Sequence, residues 1–130
     1  MTVLADTSIW VEYLRHGKES RAARLDDLLV AGDVVACGPV VAELLAGAKS
    51  PDRGRLWLLL TGLPWAELGP VQWQSVGETA ARLRERGETV ALTDIEIAVA
   101  AVDSSSRLWT RDSDFGRVRG VLPALQFFDP

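Results

Sequence analysis

Five acidic residues stand where a chain alternating short apolar segments with helices would bring them to one edge. Asp6 directly follows the apolar segment Thr2–Ala5, and Glu43 lies one turn into an otherwise apolar stretch. Asp94 falls in the first turn of a helical run, and Asp112 and Asp114 come just after the Trp109 segment. Carboxylates brought together repel and hold their protons unless a cation neutralises them. The cation that suits them is Mg²⁺ or Mn²⁺, which prefer oxygen ligands and keep several waters. Cys37 and His16 are the only soft or imidazole donors, so the usual zinc signatures are absent and any metal is expected on oxygen. Taken singly, Asp6 and Asp94 also read as helix-start residues on free backbone amides, and Asp112 and Asp114 as a turn. Glu43 is the informative member, because a carboxylate buried or half-buried among apolar neighbours needs a partner or a metal.

The elements that must position these acids alternate. Thr2–Ala5 reads as a strand, and Ile9–Arg15 as a helix capped by Thr7 or Ser8 and ended by Gly17. A helix over Ser20–Val30 precedes Gly32 and a β-type run, Val34–Cys37. Gly38-Pro39 starts a helix that continues to Gly47, since proline suits the first helical position. Arg53–Leu60 reads as helix, Leu63–Leu68 as a short strand, and Pro70–Arg86 as a long helix closed by Gly87. Thr93 is the natural cap of an apolar helix, Ile95–Val102, and strands are expected at Arg107–Thr110 and Leu125–Phe128. Strands alternating with helices indicate a parallel sheet covered on both faces, with its site where strands end and helices begin.

Composition narrows the class. The chain has 130 residues, 48% of them hydrophobic, and no internal repeat or linker-like tract, which predicts one globular domain over 1–130. Apolar runs fall far short of the roughly 18–20 residues that span a bilayer. With no export signal at the N-terminus, the expected location is the cytoplasm. A net charge of −4, from 14 basic and 18 acidic residues, is a weak objection to a nucleic-acid partner. Setting the five site acids aside leaves 14 basic against 13 acidic residues, and bound divalent ions locally reverse the field. Arg15, Lys18 and Arg111, with Arg21, Arg24, Arg117 and Arg119, are the candidates for phosphate contacts, although a solvated face accounts for most of them. His16 reads as a capping or surface residue, Cys37 as core, and the five tryptophans as more apolar surface than one core needs, some of it for an interface.

Four segments, in order, carry a resemblance: Val3–Arg15 (VLADTSIWVEYLR), Val41–Gly47 (VAELLAG), Thr93–Ala101 (TDIEIAVAA) and Trp109–Phe115 (WTRDSDF). Together they resemble the signatures of PIN domains, and more narrowly the VapC toxins of bacterial toxin–antitoxin pairs, over essentially the full length. The resemblance implies an α/β/α three-layer sandwich with a central, mostly parallel sheet. It also implies an endoribonuclease dependent on one or two Mg²⁺ or Mn²⁺ ions, in which Asp6, Glu43, Asp94 and Asp112 take the places of the acidic quartet. Asp114 is a frequent fifth member, and Thr7, Ser8 and Thr110 stand where relatives carry supporting hydroxyls. On this set the expectation is water activated by metal on Asp6, Asp94 and Asp112, attacking an RNA phosphodiester in line, with Glu43 holding a metal-bound water or a second ion. The partners implied are a VapB-like antitoxin whose C-terminal segment covers the site, and a second copy of the chain. Ala5 departs mildly from the larger β-branched residue of many relatives. Glu96, two residues from Asp94, is expected roughly 200° around the helix, as a surface or interface charge. An inactive PIN-like module that binds protein or RNA is the alternative, disfavoured by the intact acidic set. A haloacid-dehalogenase-type phosphatase is weaker still, because it needs Asp-x-Asp where Thr7 and Ser8 follow Asp6.

Overall fold

A parallel ladder lies at the centre of the fold. In the computed structural model, which describes all 130 residues, β1 (Thr2–Ala5) pairs in parallel with β2 (Ser106–Trp109), from Thr2 opposite Ser106 to Ala5 opposite Trp109. Val3–Ala5 of β1 and Leu108 and Trp109 of β2 are apolar and buried, as a sheet packed on both faces requires, while Arg107 is exposed. Three further segments join by single parallel bridges, Val3 with Val34, Ala36 with Trp65 and Leu108 with Phe127. Each is made by backbone bonds of 2.8–2.9 Å, such as Val35 N–H to the Val3 carbonyl and Ala66 N–H to the Ala36 carbonyl. The segments therefore lie side by side in the order Trp65, Val34–Ala36, β1, β2, Phe127. The strands expected at Val34–Cys37, Leu63–Leu68 and Leu125–Phe128 are reduced to these bridges. Gly32 and Gly38 leave few extended residues between their flanking helices, and Pro64 has no N–H to add to a ladder.

Seven helices surround the ladder: α1 (Thr7–His16), α2 (Arg24–Ala31), α3 (Gly38–Gly47), α4 (Ser50–Thr61), α5 (Pro70–Glu85), α6 (Leu92–Asp103) and α7 (Asp114–Val121), with a 3₁₀ turn at Gly17–Glu19. The α/β arrangement expected from the sequence holds. Four local readings need correction. The cap of α1 is Asp6 rather than Thr7 or Ser8, since its carboxylate accepts the Ile9 N–H at 3.3 Å. α2 begins at Arg24 rather than Ser20, because the Ser20 hydroxyl accepts from Ala22 N–H at 3.0 Å and donates to the Gly17 carbonyl at 2.9 Å, offering the backbone an alternative to the helix. α6 starts one residue before Thr93, from Ala91, with no side-chain cap. α7 was not expected at all, because Gly116 and Gly120 lower its intrinsic helicity; it forms by burying Phe115 and Val118.

The core is one cluster of 31 buried residues, with Trp10, Trp109 and Phe115 its largest members. α6 contributes Ile95 and the run Ile97–Ala101, and it packs against β2, α3, α5 and α7. Cys37 is buried there, and burial pushes its thiol up to about 11, which makes it inert. Of the other tryptophans, Trp57 and Trp73 are exposed and Trp65 is half-buried, donating to the Leu60 carbonyl at 2.9 Å. No helix is long and apolar enough to cross a membrane.

Two helix ends make a matched pair for testing. Gly17 closes α1 at φ 55°, ψ −133°, and Gly32 closes α2 at φ 77°, ψ 21°. A β-carbon at either meets nothing within 4 Å, so backbone conformation alone separates them. Gly32 is in the left-handed helical region, whereas Gly17 lies near a region that side chains almost never enter. Gly32→Ala is expected to cost about 1 kcal/mol and Gly17→Ala more, roughly 1–3 kcal/mol, by urea unfolding; equal losses would contradict this ranking.

Candidate active site

The chain order of the sheet diverges between β1 and β2: segments from the first part of the chain lie on one side and those from the last part on the other. In open α/β sheets such a switch point leaves a crevice beyond the strand ends. Asp6 occupies the end of β1, and its N–H donates to the Trp109 carbonyl at 3.0 Å, carrying the pairing one step past the ladder. Its side chain is buried, so both oxygens need partners. Oδ1 accepts the Ser8 hydroxyl at 2.8 Å and the Ile9 N–H, and Oδ2 accepts the Thr110 hydroxyl. The same Thr110 oxygen accepts the Asp112 N–H at 3.0 Å, and Asp112 Oδ1 accepts the Asp114 N–H at 2.9 Å. A continuous run of hydrogen bonds thus links the end of β1 to the start of α7, where Asp114 pairs with Arg117.

The crevice is a cleft of about 390 Å³ whose walls carry Asp6, Glu43, Asp94 and Asp112, with Thr7, Ser8, Ile97 and Arg111 at their sides. Carboxylate oxygens of Asp94, Asp112 and Asp114 lie within 4.8 Å of one another. Asp6 and Glu43 stand outside this trio. Burial holds the Asp94 carboxyl above its ordinary range, and repulsion from Asp112, Glu43 and Asp6 adds to the effect. Three clustered carboxylates with no nitrogen or sulfur donor among them form the donor set of a hard divalent cation, which would relieve that repulsion.

Glu43 reaches the cleft for a different reason from the one its sequence context suggests. It is exposed, because Val40, Val41 and Leu44 turn the apolar face of α3 inward and leave Glu43 on the other side. The Thr7 hydroxyl donates to its Oε1 at 2.8 Å. Glu96 does not line the cleft; it is half-buried, and burial raises its carboxyl. Lys18 is exposed and bridges Asp26 at 3.6 Å, and Arg15 lies with Ser8 and Glu12 in a shallow depression beside the cleft. Arg111 does line the cleft, but it is paired with Glu12. Sequence reasoning passed over Glu12, which accepts Arg111 at Oε2 and Arg21 at Oε1 at 3.3 Å; Arg111 holds its carboxyl below the ordinary range. The available signal was its spacing, since Glu12 lies four residues after Ser8, on the same face of α1.

Comparison with known proteins finds that the family model of the PIN domain matches residues 3–121. The chain is 32% identical over 118 residues to ribonuclease VapC11 of Mycobacterium tuberculosis, a match covering 87% of this chain and 88% of the relative. It is 33% identical over 111 residues to ribonuclease VapC32 of the same organism, covering 85% and 84%. Among solved structures, it resembles a chain of VapBC-1 from nontypeable Haemophilus influenzae with a TM-score of 0.76 at 23% identity, over 99% of this chain and 98% of the other. A chain of FitAcB from Neisseria gonorrhoeae gives 0.75 at 22% identity, over 99% and 98%. At these identities the structural likeness bears on the fold.

The raised Asp94 carboxyl has a consequence for stability. In acid the group is neutral in both folded and unfolded chains and costs nothing. As pH rises through the ordinary carboxylate range the unfolded chain ionises first, and the folded state loses stability until pH passes the higher folded value. In EDTA, Asp94→Asn is therefore expected to stabilise the protein at neutral pH by roughly 0.5–1 kcal/mol, discounted for partial exposure, with the gain vanishing in acid. Denaturant titrations at both pH values would show this, and a gain independent of pH would contradict it.

Proposed function

The chain belongs to the PIN-domain family, and on that premise we propose that it is a divalent-metal-dependent endoribonuclease, the toxin of a toxin–antitoxin pair. The observation that carries this reading is the carboxylate trio of Asp94, Asp112 and Asp114 at the sheet's switch point, with Asp6 and Glu43 beside it. Asp94, Asp112 and Asp114 would hold one Mg²⁺ or Mn²⁺, with Asp6 facing the same space. Glu43, across the cleft, suits a second ion or an ordered water. A divalent ion bound there supplies Lewis acidity toward a phosphodiester and lowers the pKa of water at neutral pH.

The residues of the chain do the rest. Thr110 and Ser8 fix the rotamer of Asp6, and Thr7 fixes Glu43, so the carboxylates are oriented before substrate arrives. α1, α6 and α7 all begin at the cleft, so their N-terminal dipoles favour the added negative charge of an RNA phosphate. No His or Lys lines the cleft to serve as nucleophile or base, so the acids orient the water that attacks the phosphorus. Emptied of cations, the same carboxylates repel RNA, which makes substrate binding depend on the metal.

The partner we assign is a VapB-like antitoxin whose C-terminal segment covers the cleft, supported by the relatives' occurrence as VapBC complexes. We further assign residues 1–130 to a single catalytic domain that acts as a homodimer on cytoplasmic RNA.

Total RNA incubated with the antitoxin-free protein and Mg²⁺ or Mn²⁺ is expected to show discrete new ends by end-mapping. They should disappear in EDTA and fall at least about a hundredfold in Asp94→Asn. Cuts that persist in the variant would overturn the assignment. Thr110→Val, which removes the hydroxyl bridging Asp6 and Asp112, is expected to lower the cleavage rate by roughly 10–100-fold while the fold persists by circular dichroism; an unchanged rate would refute the orienting role.

A further inference from the structure

Arg111 presents a problem that the proposed cation site has to solve. It stands in the chain between Thr110, which bonds Asp6, and Asp112, a member of the trio, and it lines the cleft with four carboxylates. A guanidinium cannot be deprotonated in a protein and forms bidentate pairs with carboxylates. Left to itself, it would settle among these acids and take the place of the cation.

It does not do so, because Glu12 holds it from the opposite side. Glu12 lies on α1 one turn beyond Ser8, in the depression adjoining the cleft. Its Oε2 accepts Arg111, and its Oε1 accepts Arg21 at 3.3 Å, so the carboxylate is itself anchored by a second arginine. The pair joins residues 99 positions apart and ties the loop carrying Asp112 to α1. Arg111 is 36% exposed, and ion pairs of that exposure contribute little to folding, so the contact matters chiefly through where it puts the charge.

We propose that Glu12 is a positioning residue: by holding the Arg111 guanidinium against α1, it keeps a second arginine, besides the Arg117 already paired with Asp114, off the carboxylates and leaves Asp94 and Asp112 open to a divalent cation. This inference rests on the metal-dependent reading above.

Calorimetric titration of the full-length protein with Mn²⁺ tests it without recourse to activity, using the wild type, Glu12→Gln, Arg111→Ala and the double variant. Glu12→Gln is expected to weaken Mn²⁺ binding about three- to tenfold. Arg111→Ala is expected to bind as tightly as the wild type or more so, and the double variant to match Arg111→Ala. An unchanged affinity in Glu12→Gln would overturn the proposal. So would a loss that persists undiminished in the double variant, which would make Glu12 a distant charge or a structural support. Arg111→Ala removes only a half-exposed side chain, and weaker binding in it alone would also exclude the competitor role. A wild type that binds no Mn²⁺ would fail the metal-dependent reading itself, and the inference with it.

Discussion

The contact between the Thr110 hydroxyl and the buried Asp6 carboxylate joins the two strand ends from which the acidic cleft is built. β1 and β2 are paired over four residues, and the chain departs from both ends into separate structures, α1 on one side and the loop to α7 on the other. Besides the Arg111–Glu12 pair and the burial of Phe115, this bond holds the loop carrying Asp112 and Asp114 to the end of β1. Thr110 bridges Asp6 and the Asp112 N–H with one oxygen, and Asp112 fixes Asp114 in turn. A buried carboxylate must have its hydrogen bonds satisfied, and the requirement that stabilises Asp6 thereby sets the geometry of the trio.

The cleft also works against the fold that carries it. Asp94 is partly buried and faces Asp112, Glu43 and Asp6, so its charged form is disfavoured by both desolvation and repulsion. Three helix N-termini converge on the same edge and moderate that cost, since their dipoles favour negative charge. Three arginines near the cleft are held in ion pairs: Arg111 and Arg21 on Glu12, Arg117 on Asp114. Asp94 and Asp112, in contrast, have no arginine partner.

Much of this was legible along the chain. α3 runs from Gly38 to Gly47 as its Gly-Pro start and terminal glycine indicate, and α5 ends just before the expected Gly87, whose φ of 71° suits glycine. β1 occupies the four residues its apolar pattern marks, and β2 is displaced by one. These are local matters of propensity, capping and backbone freedom. The misreadings concern competition between local and distant partners. Ser20 diverted its own segment from helix, Asp6 displaced Thr7 and Ser8 as the cap, and α7 formed despite two glycines because Phe115 and Val118 found the core.

The order and types of the five acids, and their places at the ends of strands and starts of helices, were determined by the sequence itself, because each is tied to a short stretch whose conformation its neighbours specify. What tertiary structure alone decided was which carboxylates meet and which face they present. Glu43 was expected to be buried or half-buried and is exposed, since the packing of α3 rotates its apolar side inward. Asp114 stands closer to Asp94 and Asp112 than Asp6 does, and Glu12 reached Arg111 across 99 residues of chain. Such contacts depend on the relative placement of α1, α3, α6 and the β2 loop, and side-chain periodicity within one element carries no information about where another element will lie against it.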